Sequence, residues 1–507
     1  MALAKVADDE NREPEPLGTL LGVLGALERA GVAHCHFKSN QHLRAALAGD
    51  TDLDLLVARS GARTAQALLA AHGFKRFDAG FATGYPAVED WLGFDAPTGR
   101  LIHLHVHFRL PVGELHLKSY RLPFADALLA TRVRDAATGV FTSEPHHELL
   151  LLLIRYVLKA NLRDRLTTWT GRRPAFSGGA LREYVWLRER SDPAEVLALA
   201  ERELGAEVAG RVAPLLGDEP DLAALLRLRR AVARALASHR TWGGFESALR
   251  RSTREAVQRV VRRLRRRGVE APRAFRRKNP TGGCVVAFVG CDGAGKSTAL
   301  AELTRWLGWK LDVLSVYFGS GDGPVSLVRW PLVLARMLQR RVSTERPTAS
   351  LARVLPRRPS AARAVWALVL AREKAARLRT VERARQRGLV VLCDRYPQST
   401  VRGFNDGPLL TPWLESPRAL QRHLARWELG VYESARALAP DLVIKLDVGP
   451  KVAVQRKPEM LPEECARRRA AVAALEWGER CRMTTLDAEQ PLEKVLAELK
   501  RAIWAEL

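Results

Sequence analysis

Residues 290–297 read Gly290-Cys291-Asp292-Gly293-Ala294-Gly295-Lys296-Ser297, a G-x-x-x-x-G-K-S spacing with Thr298 next. The run before it, Cys284-Val285-Val286-Ala287-Phe288-Val289, has the apolar, β-rich pattern of a buried parallel strand. The run after it, residues 299–307, has helical spacing. Strand, glycine loop and helix in this order confine this part of the chain to an α/β fold with a parallel sheet. The glycines let the backbone fold around phosphates, and the N–H groups at the helix start point at them. Lys296 suits the β- and γ-phosphates, and the Ser297 hydroxyl suits Mg²⁺. Gly290, Asp292, Gly293, Ala294, Gly295, Lys296, Ser297 and Thr298 are therefore the candidate ATP- and phosphate-binding residues.

At 507 residues the chain has room for two to four domains, and 47% hydrophobic content fills ordinary cores. Its longest purely aliphatic stretch, Leu149 to Ile154, ends at Arg155, far short of a membrane span. The first ten residues have no signal-peptide core, and six scattered cysteines form no C-x-x-C pair, so a reduced, cytoplasmic protein is expected. The net charge of +25 admits anionic partners, but arginine is abundant throughout, which equally fits a solvated surface.

Alternation of strand and helix signals divides the chain. Residues 17–135 read as α+β, with strands at 53–57 and 101–108 and a helix from Ala62 to His72 stopped by Gly73. Residues 143–268 read as helical, with Pro145 to Lys159 and Pro193 to Leu216 as helices. A basic stretch, Arg250 to Lys278, runs into a linker at 269–282. Residues 283–507 alternate strands at 284–289, 313–318, 389–393 and 442–447 with helices, which predicts a parallel sheet with helices on both faces. Residues 340–364, rich in Arg, Pro and Ser, read as an insertion.

In an open α/β sheet, ligands sit beyond the carboxyl ends of the strands. Asp394-Arg395-Tyr396-Pro397 follows such a strand, so Asp394 can orient Mg²⁺ through water and Arg395 can clamp an acceptor phosphate. A further strand from Pro440-Asp441 to Val448 feeds a basic helical segment, Arg456-Lys457, then Glu463-Glu464 and Arg467-Arg468-Arg469, which is suited to fold over phosphates as a lid.

Together these motifs resemble the thymidylate kinase family. The glycine loop, Asp394-Arg395-Tyr396, the Pro440-Asp441 to Val448 strand, and Thr485-Leu486-Asp487-Ala488 to Val495 follow the family's order over roughly residues 283–507. The resemblance implies Mg²⁺-dependent phosphoryl transfer from ATP to a nucleoside monophosphate or similar acceptor. It implies that Asp292 contacts the acceptor sugar or the Arg395 network. Family members with glycine at position 293 draw their catalytic arginine from the lid, which implies Arg456, with Lys457 and Arg467 in reserve. The catalytic set is then Lys296, Asp394, Arg395 and Arg456. One stretch departs: where the family has T-R-E-P-G-G-T, this chain has Tyr317-Phe318-Gly319-Ser320-Gly321-Asp322-Gly323-Pro324, so the acceptor pocket differs.

Near the N-terminus, Asp52 and Asp54 form a D-x-D pair, which period-two alternation puts on one strand face. With Leu55-Leu56-Val57 they resemble the uncharacterised nucleotidyltransferase-like family, where two carboxylates hold Mg²⁺ against a triphosphate. His103, in His103-Leu104-His105-Val106-His107, takes the place of that family's third carboxylate. Asp52, Asp54 and His103 are the candidate metal or nucleotide residues there, in a domain that is active, nucleotide-binding or inactive. Three readings follow: from the resemblance, a kinase acting on a small acceptor, with a homodimer as one arrangement; from the charge and the arginine run at 250–278, an ATP-dependent nucleic-acid-binding or end-processing protein; and an ATP-gated scaffold.

Overall fold

The computed structural model describes residues 15–80, 83–159, 175–217, 220–266, 275–319, 359–402 and 407–507. Residues 320–324 of the departing stretch, residues 340–358 of the expected insertion and residues 267–274 of the basic stretch lie outside these. The chain forms two compact units, Met1–Val269 and Glu270–Leu507.

The second unit carries a five-stranded sheet in the order Val313–Tyr317, Val390–Asp394, Cys284–Gly290, Leu442–Asp447, Arg482–Asp487. Every neighbouring pair is parallel. The expected strands agree to within a residue at either end. Burial explains their composition: all seven residues of Cys284–Gly290 are buried, as a central parallel strand requires. Val285, Ala287 and Val289 share a core with Leu378, Val381 and Ala384 of the Ala361–Gln386 helix and with Val472 of the Pro462–Ala473 helix. Each fully buried valine there stabilises the fold by roughly 1.5–3 kcal/mol. The register pairs Phe288 with Asp394 and Gly290 with Leu446, so the glycine loop and the Asp394-Arg395 pair emerge at the same edge of the sheet.

In the first unit the strands run Lys75–Ala79, Val88–Asp95, Arg100–His107, Leu53–Val57, His34–His36, Phe141–Thr142, Val133–Arg134 across a mixed sheet. Leu53–Val57 lies parallel to Arg100–His107 with Asp54 opposite His105. Alternation sends Leu53, Leu55, Val57, Leu104 and Val106 into a common core. His103, His105 and His107 occupy the other face of their strand.

The helix Pro145–Lys159 forms with the expected bounds. It shares a second core with Cys35, Phe37 and Leu56 of the strand region. The expected helix from Pro193 to Leu216 is two helices, Pro193–Leu204 and Ala206–Val212. Gly205 separates them at φ +91°, a conformation glycine adopts without a Cβ clash. The first is capped by Asp192, whose Oδ1 accepts from the Ala194 N–H at 2.9 Å, with Pro193 at the first helical position. The basic stretch begins within the helix Gly244–Arg266. Among the described residues no helix is long and apolar enough to cross a membrane.

Candidate functional site

The glycine loop joins the Cys284–Gly290 strand to the helix Lys296–Gly308. Gly295 caps that helix at φ +82° and Gly293 sits at φ +86°. At Gly293 the requirement is double, because a Cβ there would lie 2.8 Å from the Ala453 carbonyl oxygen of the helix Pro450–Arg456. Gly293→Ala therefore combines left-handed strain, on the order of 1–3 kcal/mol, with displacement of that helix. The expected result is a lowered melting temperature together with weakened ATP binding, read by thermal melts with and without ATP.

Lys296 is buried, and its Nζ donates to the carbonyls of Gly290 at 3.0 Å and Cys291 at 2.9 Å. The ammonium is thus folded into the cup of the loop, where phosphate oxygens would compete for it. Burial, then the Arg395 charge, pull its pKa below the usual lysine value.

Arg395 holds φ +68°, unusual for a residue with a Cβ. Its own N–H donates to the Phe288 carbonyl at 2.9 Å. The next residue, Tyr396, is buried, and its hydroxyl donates to the Leu438 carbonyl at 2.6 Å. Backbone and tyrosine together hold the strained turn, so the motif's third position is an anchor. From it, Arg395 Nη2 reaches Asp292 Oδ1 at 2.9 Å.

The other Asp292 oxygen accepts from Arg468 of the helix Pro462–Ala473. Arg468 is steadied in turn by Glu464, one helical turn earlier, at 2.6 Å. Burial alone would raise the Asp292 pKa, but Arg395, Arg468, Lys296 and Lys457 outweigh it and hold the carboxyl below its usual value. Asp292 therefore links the loop, the Asp394-Arg395 turn and the helix expected to form the lid.

Of the lid residues expected from sequence, Arg456 comes within 3.5 Å of the Gly293 carbonyl. Lys457 acts on Asp292 by its charge. Arg467 is exposed. Arg468 and Arg469 lie in the expected basic segment but carry no individual role there, although the Glu464-to-Arg468 spacing marks the first. Arg469 grips Asp447 with two bonds of 2.6 and 2.5 Å. Lys445 donates to the carbonyls of Ala473 and Leu475, both at 2.9 Å, and so fastens the end of the same helix to its strand. A cavity of about 480 Å³ opens there, lined by Lys445, Asp447, Arg469, Val472 and Thr485 among others. That volume suits a small molecule.

Cys291 of the loop lies 3.7 Å, sulfur to sulfur, from Cys465 of the helix Pro462–Ala473. Burial and its neighbour push the Cys291 thiol up to about 12, so it is a protonated packing group rather than a nucleophile.

Ser297 and Asp394 supply a hydroxyl and a carboxylate, the hard oxygen donors that Mg²⁺ takes. Asp394 ends its strand opposite Phe288 of the strand that leads into the loop, and Ser297 lies in the first turn of the helix that follows the loop. The donor chemistry fits the ion.

In the first unit the D-x-D pair is divided between different histidines. Asp52 lies 2.9 Å from His103 Nδ1, while Asp90 lies 2.7 Å from His103 Nε2. Asp54 instead meets His105 at 3.2 Å and His107 at 3.6 Å. His103, expected beside the D-x-D pair, is clamped between Asp52 and Asp90, the latter from the antiparallel neighbour strand Val88–Asp95. The set whose donor atoms converge, within 4.8 Å, is Asp54, His105 and His107. Lys38 Nζ already lies 2.7 Å from Asp54 Oδ1, a competing cation on that oxygen.

A phosphate-shaped glycine loop at the carboxyl edge of a parallel sheet, with a basic helix tied to it through Asp292, defines a P-loop α/β fold. Comparison with known proteins places the chain more closely. A thymidylate kinase of Leifsonia xyli subsp. xyli is 32% identical over 229 residues, covering 43% of this chain and 93% of that protein. The uncharacterized ATP-binding proteins YghR and YghS of Escherichia coli K12 are each 28% identical, over 226 and 231 residues, covering 86% and 93% of their own lengths. No protein family model matches. Through this stretch the chain belongs to the thymidylate kinase family.

Proposed function

We propose that residues 283–507 transfer a phosphoryl group from ATP to a nucleoside monophosphate or other small acceptor, with Mg²⁺. The observation that carries this reading is the Asp292 network, which ties the glycine loop to Arg395 on one side and Arg468 on the other. A loose phosphoryl-transfer transition state spreads charge over its oxygens and is stabilised by such converging cations rather than by covalent chemistry.

In this reading the loop N–H groups and Lys296 hold the donor phosphates. Arg395 fixes the acceptor phosphate, held at the right height by its strained turn. Arg456 and Lys457 bring positive charge over the loop, and Arg468 keeps the lid helix against it through Asp292. Ser297 and Asp394 would hold Mg²⁺, which neutralises phosphate charge when bound. Closing the lid helix excludes water and so limits wasteful hydrolysis.

The first unit is proposed as a nucleotidyltransferase-like region, about 17–135, followed by a helical region, about 143–268, and a linker, 269–282. The test is ADP formation by the purified full-length chain against nucleoside monophosphates, sugars, and nucleic-acid 5′ ends. Stimulation by one small-acceptor class is the expected result. Stimulation by nucleic-acid ends alone would overturn the small-acceptor reading in favour of end processing.

A further inference from the structure

The helix Gly244–Arg266, the last of the first unit, has two opposite faces of different character. Ser247, Arg254 and Val261 follow one another at seven-residue spacing, about two helical turns, and so share one line along the helix. That line is the docked one. Ser247 and Val261 are buried. Arg254 donates from Nη1 to the His116 carbonyl at 3.1 Å and lies 5.9 Å from the centre of the Tyr85 ring.

Phe245, Leu249, Ala256 and Val260 recur at steps of four, seven and four residues, which places them together on the opposite side. Phe245 is 85% exposed, Leu249 58% and Val260 57%, and Ala256 is exposed as well. A single exposed apolar side chain is ordinary, but four in register over four turns make a stripe.

The charge on this helix is one-sided in sign. It carries eight arginines against two glutamates. Both glutamates are paired one turn further on, Glu246 with Arg250 and Glu255 with Arg259. Arg263 lies eighteen residues past Phe245, about five whole turns, and so continues the stripe at its far end. Arg259 and Arg263 are both exposed beside Val260. Their aliphatic stems can run along an apolar surface and hold the guanidinium beyond it.

Three occupants could cover such a face, and the chemistry separates them. A nucleic-acid backbone would neutralise the arginines but leave Phe245 and Leu249 in water. A second copy would cover the apolar stripe but set eight arginines against eight. An anionic lipid surface meets both needs, since its acyl boundary takes the stripe and its headgroups take the guanidinium groups.

We propose that the helix Gly244–Arg266 docks the chain on an anionic membrane surface, lying in the plane of the headgroups. Phe245, Leu249 and Val260 enter the boundary between headgroups and acyl chains, and Arg259 and Arg263 engage lipid phosphates. The helix rests on the bilayer and does not cross it, in keeping with its charge. This docking is independent of the phosphoryl-transfer reading.

The test is flotation of the full-length chain with vesicles of equal parts phosphatidylcholine and phosphatidylglycerol, and with vesicles of phosphatidylcholine alone. Half-maximal binding to the mixed vesicles is expected at a lipid concentration at least about tenfold lower than to the neutral ones. Phe245→Ser should raise that concentration by about tenfold, and Arg259→Ala and Arg263→Ala by about fivefold each. All three positions are exposed, and melting curves report that the variants fold. No binding, equal binding to neutral vesicles, or binding that Phe245→Ser leaves unchanged would overturn the proposal. Binding of a duplex oligonucleotide without binding of vesicles would overturn it in favour of nucleic acid. A lipid-free dimer abolished by Phe245→Ser would overturn it in favour of a second copy.

Discussion

Replacing Lys296 with Ala is expected to lower acceptor-dependent ATP turnover by on the order of 10²–10³-fold, the scale seen when one preorganised donor to developing charge is lost. Among the described residues the hydrogen bonds of the side chain go to the Gly290 and Cys291 carbonyls. Its removal therefore leaves the strand and the helix intact, and the melting temperature should move little. Coupled-enzyme detection of ADP, alongside a thermal melt, checks both halves. Unchanged turnover in a folded variant would remove the glycine loop from the reaction.

The second large effect concerns the lid. Arg456→Ala is expected to lower kcat on the order of 10³-fold, the lower end of what an arginine supplied to a phosphoryl-transfer transition state contributes. Arg468→Ala should cost about tenfold, because Arg468 is engaged with Asp292 and Glu464 and positions the helix that carries it. Arg467→Ala, at an exposed position of the same helix, is expected to change little. Steady-state kcat and KM for the three variants separate the roles. Equal, small effects at Arg456 and Arg468 would show that the lid supplies no transition-state charge.

The glycine loop and its flanking strand and helix were legible in the sequence because their patterning is local. Fixed glycine spacing, a β-branched run before it and helical spacing after it all lie within about two dozen residues, and the four strand expectations there rest on the same short-range patterning. The segment proposed as a lid was legible only as a basic one. Residues 467–469 are three consecutive arginines, and which of them meets Asp292 depends on helical phase and on where that helix docks. The Glu464–Arg468 pair at i, i+4 was the available signal.

In the first unit the surroundings of His103 have a topological cause. Asp90 approaches His103 because its strand pairs antiparallel with Arg100–His107, a contact that no local pattern encodes. Period two placed His103, His105 and His107 on one face correctly, but only the parallel register of Leu53–Val57 decides that Asp54 faces His105 and His107.

The central claim is that this chain moves the terminal phosphoryl group of ATP to a small acceptor. The most direct measurement is incubation of the purified full-length chain with γ-labelled ATP, Mg²⁺ and a panel of nucleoside monophosphates, with products separated and the label located. Label on a small acceptor, dependent on Lys296 and Arg456, is the expected result. Label found solely as free phosphate, at a rate no acceptor alters, would contradict it.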